Sequence, residues 1–225
     1  MSKHSEALED ATTQLYAVFT PYREQVLSNI LEANLITTDL EQLTVSDLDS
    51  FILHLENDDN SAQQLRRFLP RILELSIEGY HRWSMSLDTV FETLNIAGWQ
   101  FWSELEQRSI ENFLRALWLY HLHDVSPTGT RSSADTILDA ISRVTDIQPF
   151  LDVWLDVPEK SATAHIASLT VYGKKRLKDV HYWLAQPDIL QRIEAAFWDC
   201  GDSNHAAMFA KAAEYLRLDN TFMPA

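Results

Sequence analysis

Apolar side chains recur at helical spacing along most of the chain, and most densely between Gln64 and His123. Leu65, Phe68, Leu69, Ile72 and Leu73 fall at i, i+3, i+4, i+7 and i+8, which puts them on one helix face. Leu87, Val90, Phe91 and Leu94 share that spacing, and so do Ile110, Phe113, Leu114, Leu117 and Trp118. Ser103 with Glu106 three residues later is the reciprocal cap that starts a helix. The pattern therefore predicts two helices meeting at a tight corner marked by Trp99 and Trp102. Pro70 falls within the first of these faces and predicts a kink or a helix restart.

Upstream, Leu8, Leu15, Val18 and Phe19 predict a first helix, with Thr20-Pro21 as a stop and restart. Val26, Leu27, Ile30 and Leu31 continue the spacing, and residues 34–44 read as a loop. Ser46 with Asp49 imitates a capping box ahead of Leu48, Phe51, Ile52 and Leu55. Asn57 to Asn60 is a polar break, Ser61 opens the next helix, and Gly79 is its expected stop.

Downstream, His123 to Ser133 carries Pro127 and Gly129 and reads as a linker. Ile137, Leu138, Ile141 and Val144 predict a helix, and Pro149 begins a short one bearing Phe150, Val153 and Trp154. Ser161 reads as a cap for the segment with His165 and Ile166, whereas Leu169 to Tyr172 has strand character. Leu177 to Leu184, Pro187 to Gly201 and His205 to Leu216 complete the helical pattern.

The expected fold is all-α: an irregular α-solenoid or multi-helix bundle of about ten antiparallel helices. Residues 1–225 form one helical domain, divisible into 1–123 and 134–225 by a 124–133 linker. No fixed repeat period occurs.

Composition narrows the class. Five glycines in 225 residues suit helices better than a β-rich or Gly-loop protein. Cys200 is the only cysteine, which excludes an internal disulfide or a Cys-based zinc site and suits a reducing compartment. No apolar run approaches the roughly 18 residues of a membrane span, and the N-terminus lacks a secretory pattern. A cytoplasmic protein is expected. The net charge of −15 is uneven. Residues 1–60 hold twelve acids against Lys3 and Arg23 and carry −10 of it. Such a field repels nucleic acid and anionic lipid and attracts basic partners.

The runs PYR (21–23), LTVSDL (43–48), LRRFLPRILEL (65–75), DTVFETLNIAGWQFW (88–102) and FLRALW (113–118), with Glu106, resemble a family of uncharacterised bacterial proteins. That family shares an FLPRxLEL core followed by a W…W…E…FLxAxW block. WLAQPDILQRIEAAFW (183–198) is similar to its C-terminal segment. Many members carry an early Cys-Pro-Cys-Cys cluster, which this chain lacks. The resemblance implies a helical fold and no particular activity.

Candidate chemistry is sparse. His121 and His123 sit at i, i+2, which does not place two ligands on one helix face, and His121 continues an apolar face. Cys200 and His205 invite a thiol-nucleophile reading, but Asp199 and Asp202 flank the cysteine unfavourably, so a structural cysteine is expected. Lys174, Lys175, Arg176 and Lys178 follow an expected helix end at Gly173, where cations offset the dipole. Arg67 and Arg71 stand near Glu74 and Glu78 as helix-surface pairs. No catalytic residue, metal ligand or cofactor is assigned, and no P-loop, G-x-G-x-x-G or G-x-S-x-G occurs.

The expected function is an acidic cytoplasmic protein-binding module, of the immunity type that neutralises a basic toxin. Its expected partner surface is Asp39, Glu41, Asp47, Asp49, Glu56, Asp58 and Asp59. An enzyme with residues dispersed over several helices, or a helical scaffold, is the alternative. No nucleic-acid or membrane partner is expected.

Overall fold

The computed structural model describes residues 2–23, 34–55, 61–78, 86–126, 134–173, 177–201 and 203–221. Among them the regular structure is entirely helical, as the periodicity predicts. None of the helices is long and apolar enough to cross a membrane. Two compact units are present: residues 1–117 with 143–145, and residues 118–142 with 146–225. The division falls inside one long helix.

The first unit holds α1 (Lys3–Phe19), the short α2 (Asn34–Thr37), α3 (Val45–Leu55), α4 (Ser61–Glu78), α5 (Leu87–Ile96) and the first part of α6 (Glu104–Asp124). Its centre is α4, which packs on α1, α3 and α5. Leu65, Phe68, Leu69, Ile72 and Leu73 are all buried on it. The helix passes through Pro70 without restarting. Three partners grip its apolar face, which offsets the ~3 kcal/mol that an interior proline costs. Tyr16 on α1 donates to Glu74 Oε2 at 2.6 Å, and Arg71 reaches the same oxygen while its Nε donates to the Leu43 carbonyl at 2.8 Å.

Local capping chemistry sets several helix starts. Ser2 accepts from the Ser5 N–H at 3.0 Å, and Ser86 from the Thr89 N–H at 3.4 Å. The start of α3 differs from the expectation at Ser46 and Asp49. The cap is Thr44, whose N–H and hydroxyl both donate to Asp47 Oδ2, at 2.8 and 2.5 Å. Both pairs have the right spacing. The helix uses the earlier one, and Leu48, Phe51, Ile52 and Leu55 behind it are buried. Residues 34–44 contain α2 and a 3-10 turn at Leu40–Gln42 rather than a plain loop. Gly79, and the apolar positions from Val26 to Leu31, lie outside the described residues.

The second unit holds the end of α6, α7 (Ala134–Ser142), α8 (Gln148–Asp156), α9 (Lys160–Tyr172), α10 (Lys178–Leu184), α11 (Pro187–Trp198) and α12 (Ser203–Thr221). Here α9 is central, packed by α7, α11 and α12. Ala162, Ala164 and Ala167 are buried on it, and short side chains let the neighbouring helices approach closely. Leu169 to Tyr172 is the last turn of this helix, not a strand. The Thr170 hydroxyl donates to the Ile166 carbonyl at 2.9 Å, which satisfies a β-branched polar residue within the helix. Ser161 lies inside the first turn of α9; the cap position is Glu159, which makes no side-chain capping bond.

Three indoles form the heart of this unit. Trp118 Nε1 donates to the Phe150 carbonyl and Trp154 Nε1 to the Ala162 carbonyl, each at 2.9 Å. Trp154 meets Trp118 edge-on at 5.1 Å and stacks on Trp183 at 5.0 Å. Beside them, the Arg192 guanidinium on α11 donates to Thr163 Oγ1 at 2.8 Å and to the carbonyls of Trp154, Leu155 and Val157. It thereby closes the C-terminal end of α8, whose carbonyls have no partner within the helix.

Candidate functional site

The acidic positions proposed as a partner surface receive different placements. Glu41 meets Arg23 at 2.6 Å, and Asp47 is spent on the Thr44 cap. On α3, the Oδ1 of Asp49 is buried with no hydrogen-bond partner among the described residues. Asp39 is exposed and makes no side-chain cap bond to the 3-10 turn that it precedes. Asp39 and Glu41 line a polar recess of about 230 Å³ together with Arg23 and Arg67. Their charge there faces cations of the same unit. Glu56, Asp58 and Asp59 lie outside the described residues, as does Trp83.

The tryptophan corner is built as its spacing predicts, and it has an additional property. Ser103 and Glu106 form the reciprocal cap: the Ser103 N–H donates to Glu106 Oε2 at 2.8 Å, and the Glu106 N–H to Ser103 Oγ at 3.4 Å. Trp99 and Trp102 are buried, and Trp102 Nε1 donates to the Ala97 carbonyl at 3.2 Å. The Arg66 guanidinium stands 4.2 Å from the Trp102 ring centre. Burial opposes the Glu106 carboxylate, but bonds from Ser103 and Tyr22 and the charge of Arg66 outweigh it and hold its pKa below the usual range. Gln107 donates to the carbonyls of Gln100 and Trp102, at 2.9 and 2.7 Å. Gly98 turns the chain with φ of +65°, a conformation that costs L-residues strain.

On this braced corner Phe101 is 91% exposed, with Ile96 at 58% and Leu105 at 60%. Hydrophobic periodicity alone could not separate Phe101 from the buried Trp99 and Trp102 two and one positions away. What decides is the turn: the 3-10 segment Trp99–Phe101 points successive side chains in different directions. Gly98 was the one available signal, since a glycine before WQFW marks a reversal.

In the second unit His121 is core, as its place on an apolar face predicts. It is 2% exposed, lies parallel to Trp118 and sits 4.8 Å from the His165 ring. Burial, then the neighbouring His165, push its pKa down to about 3. Burial lowers that of His165 as well, against the bond of its Nε2 to the Val125 carbonyl at 2.8 Å. In both, burial favours the neutral imidazole.

His123 faces elsewhere. It borders a cleft of about 510 Å³ that also takes in Lys160, Asp199, Cys200 and His205. Residues far apart in the sequence are thus gathered into one place by the ends of α6 and α11 and the starts of α9 and α12. Val125, Ala164, Ala196 and Phe209 also line it. Lys160 Nζ meets Asp199 Oδ2 at 2.6 Å and the Asp199 carbonyl at 3.4 Å. His123 Nδ1 stands 3.7 Å from Glu159 Oε1. Among the described residues no group of histidine, cysteine, aspartate and glutamate side chains is placed to hold a metal ion. Lys178 is exposed at the start of α10, and its basic neighbours Lys174, Lys175 and Arg176 lie outside the described residues. No family model, curated protein or solved structure matches the chain.

Proposed function

We propose that this chain is an acidic, cytoplasmic protein-binding module that captures a basic protein partner, in the manner of an immunity protein covering a toxin. The observation that carries the reading is Phe101, held 91% exposed on a corner that its own hydrogen bonds brace. A large apolar ring in water forgoes about 1.5–3 kcal/mol of burial, and rigid presentation spares a partner the entropy of ordering it. Aromatic anchors of this kind dominate binding energy in protein interfaces. The net charge of −15 supports a basic partner, since complementary charge accelerates encounter. Because Glu41 and Asp47 are already engaged within the chain, the acidic segment serves the long-range field and the corner supplies the contact.

A photo-crosslinking residue at position 101 identifies the partner in cells, and binding kinetics are then measured with the purified pair. Phe101→Ala should raise the dissociation rate by about tenfold or more, the minimum expected of a central anchor. Reversing Glu56, Asp58 and Asp59 to Lys should slow association more than about tenfold at low salt, and less at physiological salt, where charges are screened beyond ~8 Å. A crosslinked partner that binds both variants with unchanged kinetics refutes the reading.

A further inference from the structure

The cleft of the second unit has no part in the proposed docking corner, and its construction is that of a ligand site. Its volume of about 510 Å³ lies within the roughly 300–1,000 Å³ typical of small-molecule pockets. Val125, Ala164, Ala196 and Phe209 give the lining apolar surface, two of them through small alanine side chains. The lysine and aspartate in the lining are matched in charge. Lys160 is paired with Asp199 at 2.6 Å. An ionic ligand of either sign would therefore leave water without finding an uncompensated countercharge. The chain's overall charge further opposes an anion. An uncharged molecule meets neither cost. It can lay its hydrocarbon on the apolar lining and offer one polar atom to the ion pair, where a lysine ammonium has three N–H donors and Lys160 directs it at two acceptors of Asp199.

We propose that this cleft binds a small, uncharged, mainly apolar molecule with a single hydrogen-bonding head group, of the medium-chain alcohol or ketone class. The apolar lining supplies affinity and the matched ion pair supplies selection against charge.

The test is calorimetric titration of the full chain near neutral pH with 1-butanol, 1-hexanol and 1-octanol, and with octanoate and octylammonium as charged counterparts of equal length. Saturable binding at one site is expected for 1-octanol. Each methylene should tighten binding about fourfold, the equivalent of ~0.8 kcal/mol. Octanoate and octylammonium should bind more weakly than 1-octanol. Asp199→Asn and Lys160→Gln remove one member of an exposed pair and should leave folding intact. The first should improve octanoate by about three- to fivefold and the second octylammonium by a similar factor, with 1-octanol unaffected. Ala196→Phe, checked for an unchanged melting temperature, should abolish all binding. The proposal is overturned if 1-octanol shows no saturable binding, if either ion binds more tightly than the alcohol in the native chain, or if the charge variants leave the affinities of both ions unchanged.

Discussion

Arg66 Nε and Glu106 Oε1 lie 3.0 Å apart, an ion pair made against the face of Trp102 by two side chains from different helices. Among the described residues neither atom has a hydrogen-bond partner, so the two meet as charges and not along an N–H to oxygen line. Glu106 does a second job by capping α6. Glu106→Ala should therefore cost about 3 kcal/mol, from the lost cap and the stranded guanidinium together. Arg66→Met combined with Glu106→Gln should recover part of it. Urea denaturation of the three proteins checks this.

Gly98→Ala tests the corner. A Cβ there would stand 3.4 Å from Phe101 Cδ2, a contact that a 91% exposed ring can relieve. The cost should come from the positive φ alone, about 1–2 kcal/mol. Phe101→Ala should change stability by less than ~0.5 kcal/mol, as expected of a surface position. Thermal melts of both variants distinguish strain from packing.

Arg192 provides a planar donor fork that lysine cannot imitate. Arg192→Met removes donors from three carbonyls at the end of α8 and from Thr163, and should cost about 2–4 kcal/mol. Arg192→Lys should restore less than half of that loss, because one ammonium cannot span the same acceptors. Chemical denaturation followed by a reporter in the second unit measures both.

The buried histidines give the fold an acid limit. In the unfolded chain His121 takes a proton near pH 6.5, whereas in the folded chain it does so only near pH 3. Between those values the unfolded state binds the extra proton, so stability falls as pH falls below 6.5. The slope approaches about 1.4 kcal/mol per pH unit for His121, and His165 adds to it in the same direction. Above pH 6.5 neither group contributes a dependence. His121→Phe should flatten the stability profile between pH 6 and 4 relative to the native chain.

The helices were legible because their buried faces repeat at 3.6 residues, and the Ser103–Glu106 start because a capping box is a local pairing. The Thr44–Asp47 start was less so. Thr44/Asp47 and Ser46/Asp49 have the same spacing, so local pattern does not separate them. Leu169 to Tyr172 misled for a related reason, since β-branched content describes a preference that packing around α9 overrides. The site features were the least legible. The cleft brings Lys160 within 2.6 Å of Asp199 across thirty-nine positions, a proximity that no spacing rule contains. Phe101 differs from its neighbours only by the direction in which a turn points it.

The indole trio of the second unit also has an optical consequence. Trp154 and Trp183 are 5.0 Å apart with ring planes inclined by 27°, and Trp118 stands at 85° to Trp154. At such separations the strong ultraviolet transitions of neighbouring indoles mix, and their fixed mutual tilt makes the mixed bands chiral. This unit therefore carries a built-in exciton signal in its circular dichroism, which vanishes when those three rings lose register even if the helices persist. Trp198, 83% exposed, emits from a watery setting and reports on none of it.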